Sequence, residues 1–127
     1  MKDRQLLLFT DSSVHFCSKQ SDIRDRYAES KVMETSFANV KSKLDLMIEI
    51  EKVMQFPDYF GRNWDALEEC MQDMKWLPAK HYILIIHDAE DCWKNIPEVV
   101  YTLIEIWVDS ALYWRKRETA FHLVFTV

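Results

Sequence analysis

Glycine is nearly absent, with one residue, Gly61, in a chain of 127. A GxGxxG dinucleotide turn and a GxxxxGK[ST] phosphate loop each need more than that, so nucleotide-cofactor enzymes built on those turns are excluded. Cysteine is sparse as well. Cys17, Cys70 and Cys92 are odd in number, far apart and without CxxC spacing, which suggests neither a disulfide framework nor a zinc site; reduced and mostly buried thiols are expected. The histidines at 15, 81, 87 and 122 show no HExxH or HxH spacing, and no metal or other cofactor is expected. Long apolar runs are also missing near the start. Leu6 to Phe9 is interrupted by Thr10 and Asp11, whereas a secretory core needs about 7 to 15 apolar residues and a membrane span about 20. A soluble, cytoplasmic protein with no membrane association is expected. Positive charge is not in excess either: the net charge of −5 argues against direct nucleic-acid binding, where lysine and arginine neutralise phosphates.

Apolar and aromatic residues are abundant, at 49% and 13%, enough to form one core in a single domain and too many for a disordered chain. The negative charge is localised. From Pro57 to Asp91 eight acids (Asp58, Asp65, Glu68, Glu69, Asp73, Asp88, Glu90 and Asp91) stand against Arg62, Lys75 and Lys80, and the rest of the chain is balanced.

Residues 1–30 are read as an extension. Within it Leu6 to Thr10 and Val14 to Cys17 have the character of short strands around Asp11-Ser12-Ser13, and the charged Lys19 to Lys31 has that of a linker or surface helix. The domain proper is assigned to 31–127. It begins with a strand, Val32 to Phe37, and then a helix, with Ser42 as its N-cap. Leu44, Met47, Ile48, Val53 and Met54 recur mostly at helical period until Pro57 stops the run. The lone glycine follows in a tight connection, available for positive φ or a close backbone approach. Asn63 suits the cap of a second helix, with Asp65 favourable in its first turn. Trp64, Leu67, Met71 and Met74 make its apolar side, and Asp65, Glu68, Glu69, Gln72 and Asp73 cover the other.

Tyr82 to His87 is a continuous β-branched run, as in a strand covered on both faces of a parallel sheet. Asp88 to Lys94 is read as the loop at its carboxyl end. Pro97 then opens a long third helix carrying Val100, Leu103, Ile104, Trp107, Ala111 and Trp114 inward, with Arg115-Lys116-Arg117 at its negative end. Ala120 to Val127 is read as the last strand. Helical crossovers between the strands favour parallel pairing, so the expected fold is α/β: a small three-stranded parallel sheet packed with helices.

The stretch from Phe56 to Cys70, read as proline, aromatic pair, glycine, any residue, asparagine, an apolar residue, Asp-Ala-Leu and then acids and a cysteine, closely resembles the signature of the barstar family. The element order from about Lys31 to Val127 is similar to the family's too, with an N-terminal extension that its smallest members lack. The resemblance implies a barstar-like fold and a protein that binds a ribonuclease toxin and occludes its active site, as an immunity protein with no reaction of its own. It places the contact surface on the second helix and the preceding loop, at Tyr59, Asn63, Asp65, Glu68, Glu69 and Asp73, with Gly61 and Trp76 as further candidates. Glu69 stands where the best-known member plugs the nuclease's phosphate site with an aspartate, and Glu68 where that member has a tryptophan. These departures reshape the surface and so bear on which nuclease fits.

The chemistry of the residues is compatible with this reading. A ribonuclease surrounds its anionic substrate with cations, so carboxylates fixed on a helix can imitate phosphates and accept charge-assisted hydrogen bonds from them. A solvated helix face is the ordinary explanation of such a stripe taken alone. Helix capping is the ordinary role of Asn63, core packing that of Trp64, and Tyr59 divides between contact and core. Two other readings stay open: a module of the same fold binding another basic protein, and an enzyme using His87 with Asp88 or Glu90. The expected partner is a basic nuclease, met by a chain that is a monomer when free.

Overall fold

A computed structural model describes residues 13–18 and 29–127. The expected strand at Leu6 to Thr10 and most of the charged stretch from Lys19 lie outside the described residues. In chain order the elements are β1 (Val14–Cys17), β2 (Ser30–Ser36), α1 (Lys43–Val53), α2 (Trp64–Met71), β3 (His81–His87), α3 (Glu90–Asn95), α4 (Pro97–Arg115) and β4 (Phe121–Thr126). The strands form one parallel sheet in the order β1-β4-β3-β2.

The sheet therefore has four strands where three were expected. The additional strand is Val14–Cys17, within the stretch read as extension; it pairs with β4, setting Val14 beside Leu123 and Phe16 beside Phe125. A four-residue strand whose partner lies at the other end of the chain has no local signature beyond its alternation.

Side-chain alternation divides the sheet into two faces. Met33, Leu84, Ile86, Phe121, Leu123 and Phe125 point towards the helices and form the main core with Leu46, Met47 and Ile50 of α1, Leu67 and Met71 of α2, and Leu103 and Trp107 of α4. Each such side chain taken from water contributes about 1.5–3 kcal/mol. Trp107 anchors this layer: it is fully buried, stacks on Phe121 at 4.2 Å and donates its indole N–H to the Phe121 carbonyl at 3.1 Å. Cys17, Ile83, Ile85 and Val124 form a second cluster on the opposite face, to which none of the described helices contributes.

Several boundaries differ from those read in the sequence. The segment taken as a loop after β3 contains the six-residue α3, which has no side-chain cap. Its helical form follows from tertiary contacts: Cys92 is buried with its thiol directed at the Val40 carbonyl, 3.2 Å away, and Trp93 packs on Tyr101 and Phe125. On α1 the buried residues are Leu46, Met47 and Ile50, whereas Leu44 and Ile48, placed in its apolar run, are exposed. The second helix ends at Met71 rather than continuing to Met74, and Met74 takes a left-handed φ of 54° that turns the chain back.

Candidate functional site

The acidic face rests on a connection whose geometry is fixed at both ends. At the end of α1 the Phe56 N–H bonds to the Glu51 carbonyl and the Gln55 N–H to Lys52, with Gln55 at φ 58°. This is the paired closure that satisfies terminal carbonyls, with glutamine in the position that usually takes glycine. Phe56 and Phe60 are then buried edge to face at 4.9 Å, and the Phe60 N–H bonds to the Pro57 carbonyl at 3.0 Å. Tyr59, between these anchors, is thrust outward and is 69% exposed.

Gly61 does not supply the positive φ here; Arg62 does, at 54°. A Cβ on Gly61 would lie 3.2 Å from the Asn63 Nδ2 and 3.7 Å from the Ala66 Cβ. The glycine thus meets the second of its two expected uses, a close approach. What it makes room for is the cap of α2: the Asn63 Oδ1 accepts from the Ala66 N–H at 2.8 Å, and the Asn63 amide reaches the Gly61 carbonyl at 3.4 Å. Such a cap contributes about 1 kcal/mol.

At the other end of α2, the Trp114 indole N–H donates to the Met71 carbonyl at 2.7 Å, which ties the helix terminus to α4. The helix is thereby held by its own cap, by the buried Leu67, Cys70 and Met71, and by a tryptophan from its neighbour.

On this support Asp65 and Glu69 are exposed, while Glu68 and Asp73 are half-buried. Glu68 accepts from the Gln72 amide at 3.4 Å, and the Tyr59 hydroxyl reaches Asp73 at 3.5 Å. None of the four carboxylates enters an ion pair among the described residues, and α2 carries no base in its last turn. Arg62, three residues before Asp65, is turned away and bonds through Nε to Glu51 of α1 at 2.9 Å. The negative field raises neighbouring groups. Burial first, then Asp73 and Glu69, push the Cys70 thiol up to about 11, and the Tyr59 phenol is raised by desolvation and then by Asp73. Neither group is suited to act as a nucleophile near neutral pH.

The predicted contact residues fall in two sets. Tyr59, Gly61, Asn63, Asp65, Glu68, Glu69 and Asp73 are gathered along the loop and α2. Trp76 is committed inside the molecule, with its indole N–H on the Met54 carbonyl at 3.1 Å and its ring edge-on to Phe56. Beside the loop lies an open groove of about 370 Å³ lined by Ile48, Glu51, Lys52, Gln55, Phe56 and Arg62. Nothing in the sequence marks this groove, because apolar residues at nearly every second position of α1 hide which of them, such as Ile48, face outward.

His87 and Asp88, the pair considered for catalysis, use different partners. His87 bonds through Nε2 to Glu34 and through Nδ1 to the Thr126 hydroxyl at 2.7 Å, and Asp88 accepts from Ser36 at 2.8 Å. These cross-strand contacts depend on strand order and were not legible in the sequence. Among the described residues no cluster of three or more His, Cys, Asp or Glu side chains is placed to hold a metal ion, and no helix is long and apolar enough to cross a membrane. Cys17, Cys70 and Cys92 are buried and form no disulfide.

Among curated proteins none matches this chain. The profile of the Barstar (barnase inhibitor) family matches residues 30–126, from the first residue of β2 to the last of β4. That span includes the parallel arrangement of β2, β3 and β4, the capped α2 and the loop before it, and the chain belongs to the Barstar (barnase inhibitor) family.

Proposed function

We propose that this protein is a stoichiometric inhibitor that covers the active site of a ribonuclease with the face formed by Tyr59, Asn63, Asp65, Glu68, Glu69 and Asp73. The observation that carries this reading is a row of carboxylates on a helix fixed at both ends and on the turn after it, with no cation paired to them among the described residues. A ribonuclease site supplies the missing cations. Because the helix that carries the acids is already fixed, little backbone ordering opposes the encounter, and each bond formed to arginine or lysine is charge-assisted.

In this reading Glu69 projects furthest into the phosphate-binding region, Glu68 and Asp73 flank it, and Tyr59 provides an aromatic edge. The groove beside Ile48 and Phe56 adjoins this surface and offers room for a side chain of the nuclease. The protein works by occlusion and performs no reaction, and its place of action is the cytoplasm of the cell it protects. The nuclease is a toxin, encountered either before export or on delivery from outside.

The test is titration of ribonuclease activity with the purified protein. Barnase comes first, because it names the family, followed by any basic ribonuclease retained by the protein from its native lysate. Loss of activity reaching completion at one equivalent, weakened by added salt and by Glu69→Lys, supports the proposal. A retained basic partner that has no nuclease activity would assign the same face to a different client.

A further inference from the structure

α4 turns Val99, Val100, Leu103, Ile106, Trp107 and Ser110 inward. On its outer side Tyr101 is 60% exposed, Val108 39% and Leu112 53%. Their spacing of seven and four places them along one stripe. Three large apolar side chains in line on a solvent-facing helix differ from the scattered exposed apolar residues that any protein shows. The Tyr101 end of the stripe also adjoins Trp93 at 5.5 Å, and Trp93 in turn touches Phe16, itself 57% exposed.

The charges beside the stripe are ordered along it. Glu98, Glu105 and Asp109 lie in its first two thirds, and Arg115, Lys116 and Arg117 at its end. A helix surface that is acidic towards one end and basic towards the other complements itself when a second copy runs antiparallel, and opposes itself when the copy runs parallel. A partner of uniform charge would be repelled at one end. This self-complementarity decides among the possible occupants.

We propose that the outer face of α4 is the contact between two copies of this chain, packed antiparallel about a two-fold axis. Setting Val108 against the partner's Leu112 places Glu105 across from the partner's Arg115, and the symmetry repeats both pairs. The apolar centre is then bracketed by opposite charges on each side. One helix face of 19 residues is roughly 28 Å long at about 1.5 Å per residue. By itself it buries less than the about 800 Å² per partner of a standard stable interface, so the association depends on concentration. The monomer expected from the sequence is the dilute form of this equilibrium. No residue of the stripe belongs to the acidic face, so the inference stands or falls independently of the nuclease.

Sedimentation velocity on the full chain, from micromolar to millimolar concentration, tests it. The mass should rise from one chain towards two. Leu112→Lys should weaken self-association at least about tenfold by placing a charge in the apolar centre, with an unchanged melting temperature. Glu105→Arg should also weaken it, and Glu105→Arg combined with Arg115→Glu should restore it, since the swapped pair recreates the attraction only in the antiparallel arrangement. A wild-type chain that remains monomeric up to millimolar concentration overturns the proposal. So does a dimer that Leu112→Lys leaves intact, or a charge-swapped double variant that folds and associates no better than the single one.

Discussion

On α2 and the turn after it the carboxylates of Asp65, Glu68, Glu69 and Asp73 are in no ion pair among the described residues, whereas all four histidines lie on the strand face turned from the helices and find their partners inside the molecule. The His15 Nε2 and the His122 Nδ1 are 2.9 Å apart, the His81 Nδ1 accepts from the Ala120 N–H at 3.0 Å, and His87 bridges Glu34 and Thr126. Burial and the neighbouring His122 hold His15 down to about 4. The contrast separates two uses of titratable groups. Polar groups satisfied within the fold contribute to its stability, and charges left without an internal partner are available to another molecule.

The largest expected effect lies on the histidine face. His122→Ala removes a buried ring together with its bond to His15 and should lower unfolding free energy by about 3 kcal/mol, read by denaturant titration, while the folded fraction still inhibits ribonuclease one to one. Equal losses of stability and inhibition beyond the unfolded fraction would break the separation. Glu69→Lys should do the reverse, weakening inhibition by about 2 kcal/mol, or some thirtyfold, with no change in melting temperature. Glu29→Lys is the control, because Glu29 pairs with Lys80 away from α2; an equal loss of inhibition there would mean the contact face is misplaced.

A pH series sharpens the same contrast. The His15 pKa lies near 4 in the folded chain and near the ordinary 6.5 when unfolded, so between these values the unfolded chain binds the extra proton. Stability is therefore fully present above about pH 6.5 and declines as pH falls towards 4, by about 1–2 kcal/mol once screening of a half-buried ring is allowed for. His81, lowered by burial, acts in the same direction. Urea midpoints measured from pH 7 to 4 should follow this slope, and His15→Gln should flatten it. The smallest effect concerns the support of the acidic face. Gln55→Gly relieves a left-handed residue and should raise stability by about 0.5 kcal/mol, the strain relieved exceeding the entropy added to the unfolded chain, with inhibition unchanged.

The parts legible in the sequence are those with local causes. Ser42 and Asn63 cap the helices for which they were chosen, because an oxygen side chain ahead of a helix has one dominant use. The β3 and β4 runs were plain because strands covered on both faces are continuously apolar. The acidic face was legible because its carboxylates are close neighbours in sequence, on one short helix and the turn after it. What escaped has long-range causes: the pairing of β1 with β4, the ordering of α3 around Cys92, the Trp114 bond that ends α2, and the bonds that draw His87 to Glu34 and Thr126 rather than to Asp88. Gly61 shows the same limit, since only the folded cap reveals that crowding by Asn63, and not φ, is what it relieves.

The strand order also sets a timetable for assembly. β4, the last described element to be synthesised, sits between β3 and β1, and the N–H groups of its Leu123 and of the following Val127 bond to the carbonyls of Ser13 and Cys17, more than a hundred positions earlier. Until residues 121–126 have emerged from the ribosome, β1 lacks this neighbour, one side of β3 is unpaired and Trp107 has no Phe121 to stack on. Contacts that span so much chain form late and cooperatively. A nascent chain already carries every residue of the acidic face by Asp73, yet the framework that presents it closes only when β4 inserts. The face would therefore become fully supported abruptly, chain by chain, only once residues 121–126 are free to insert.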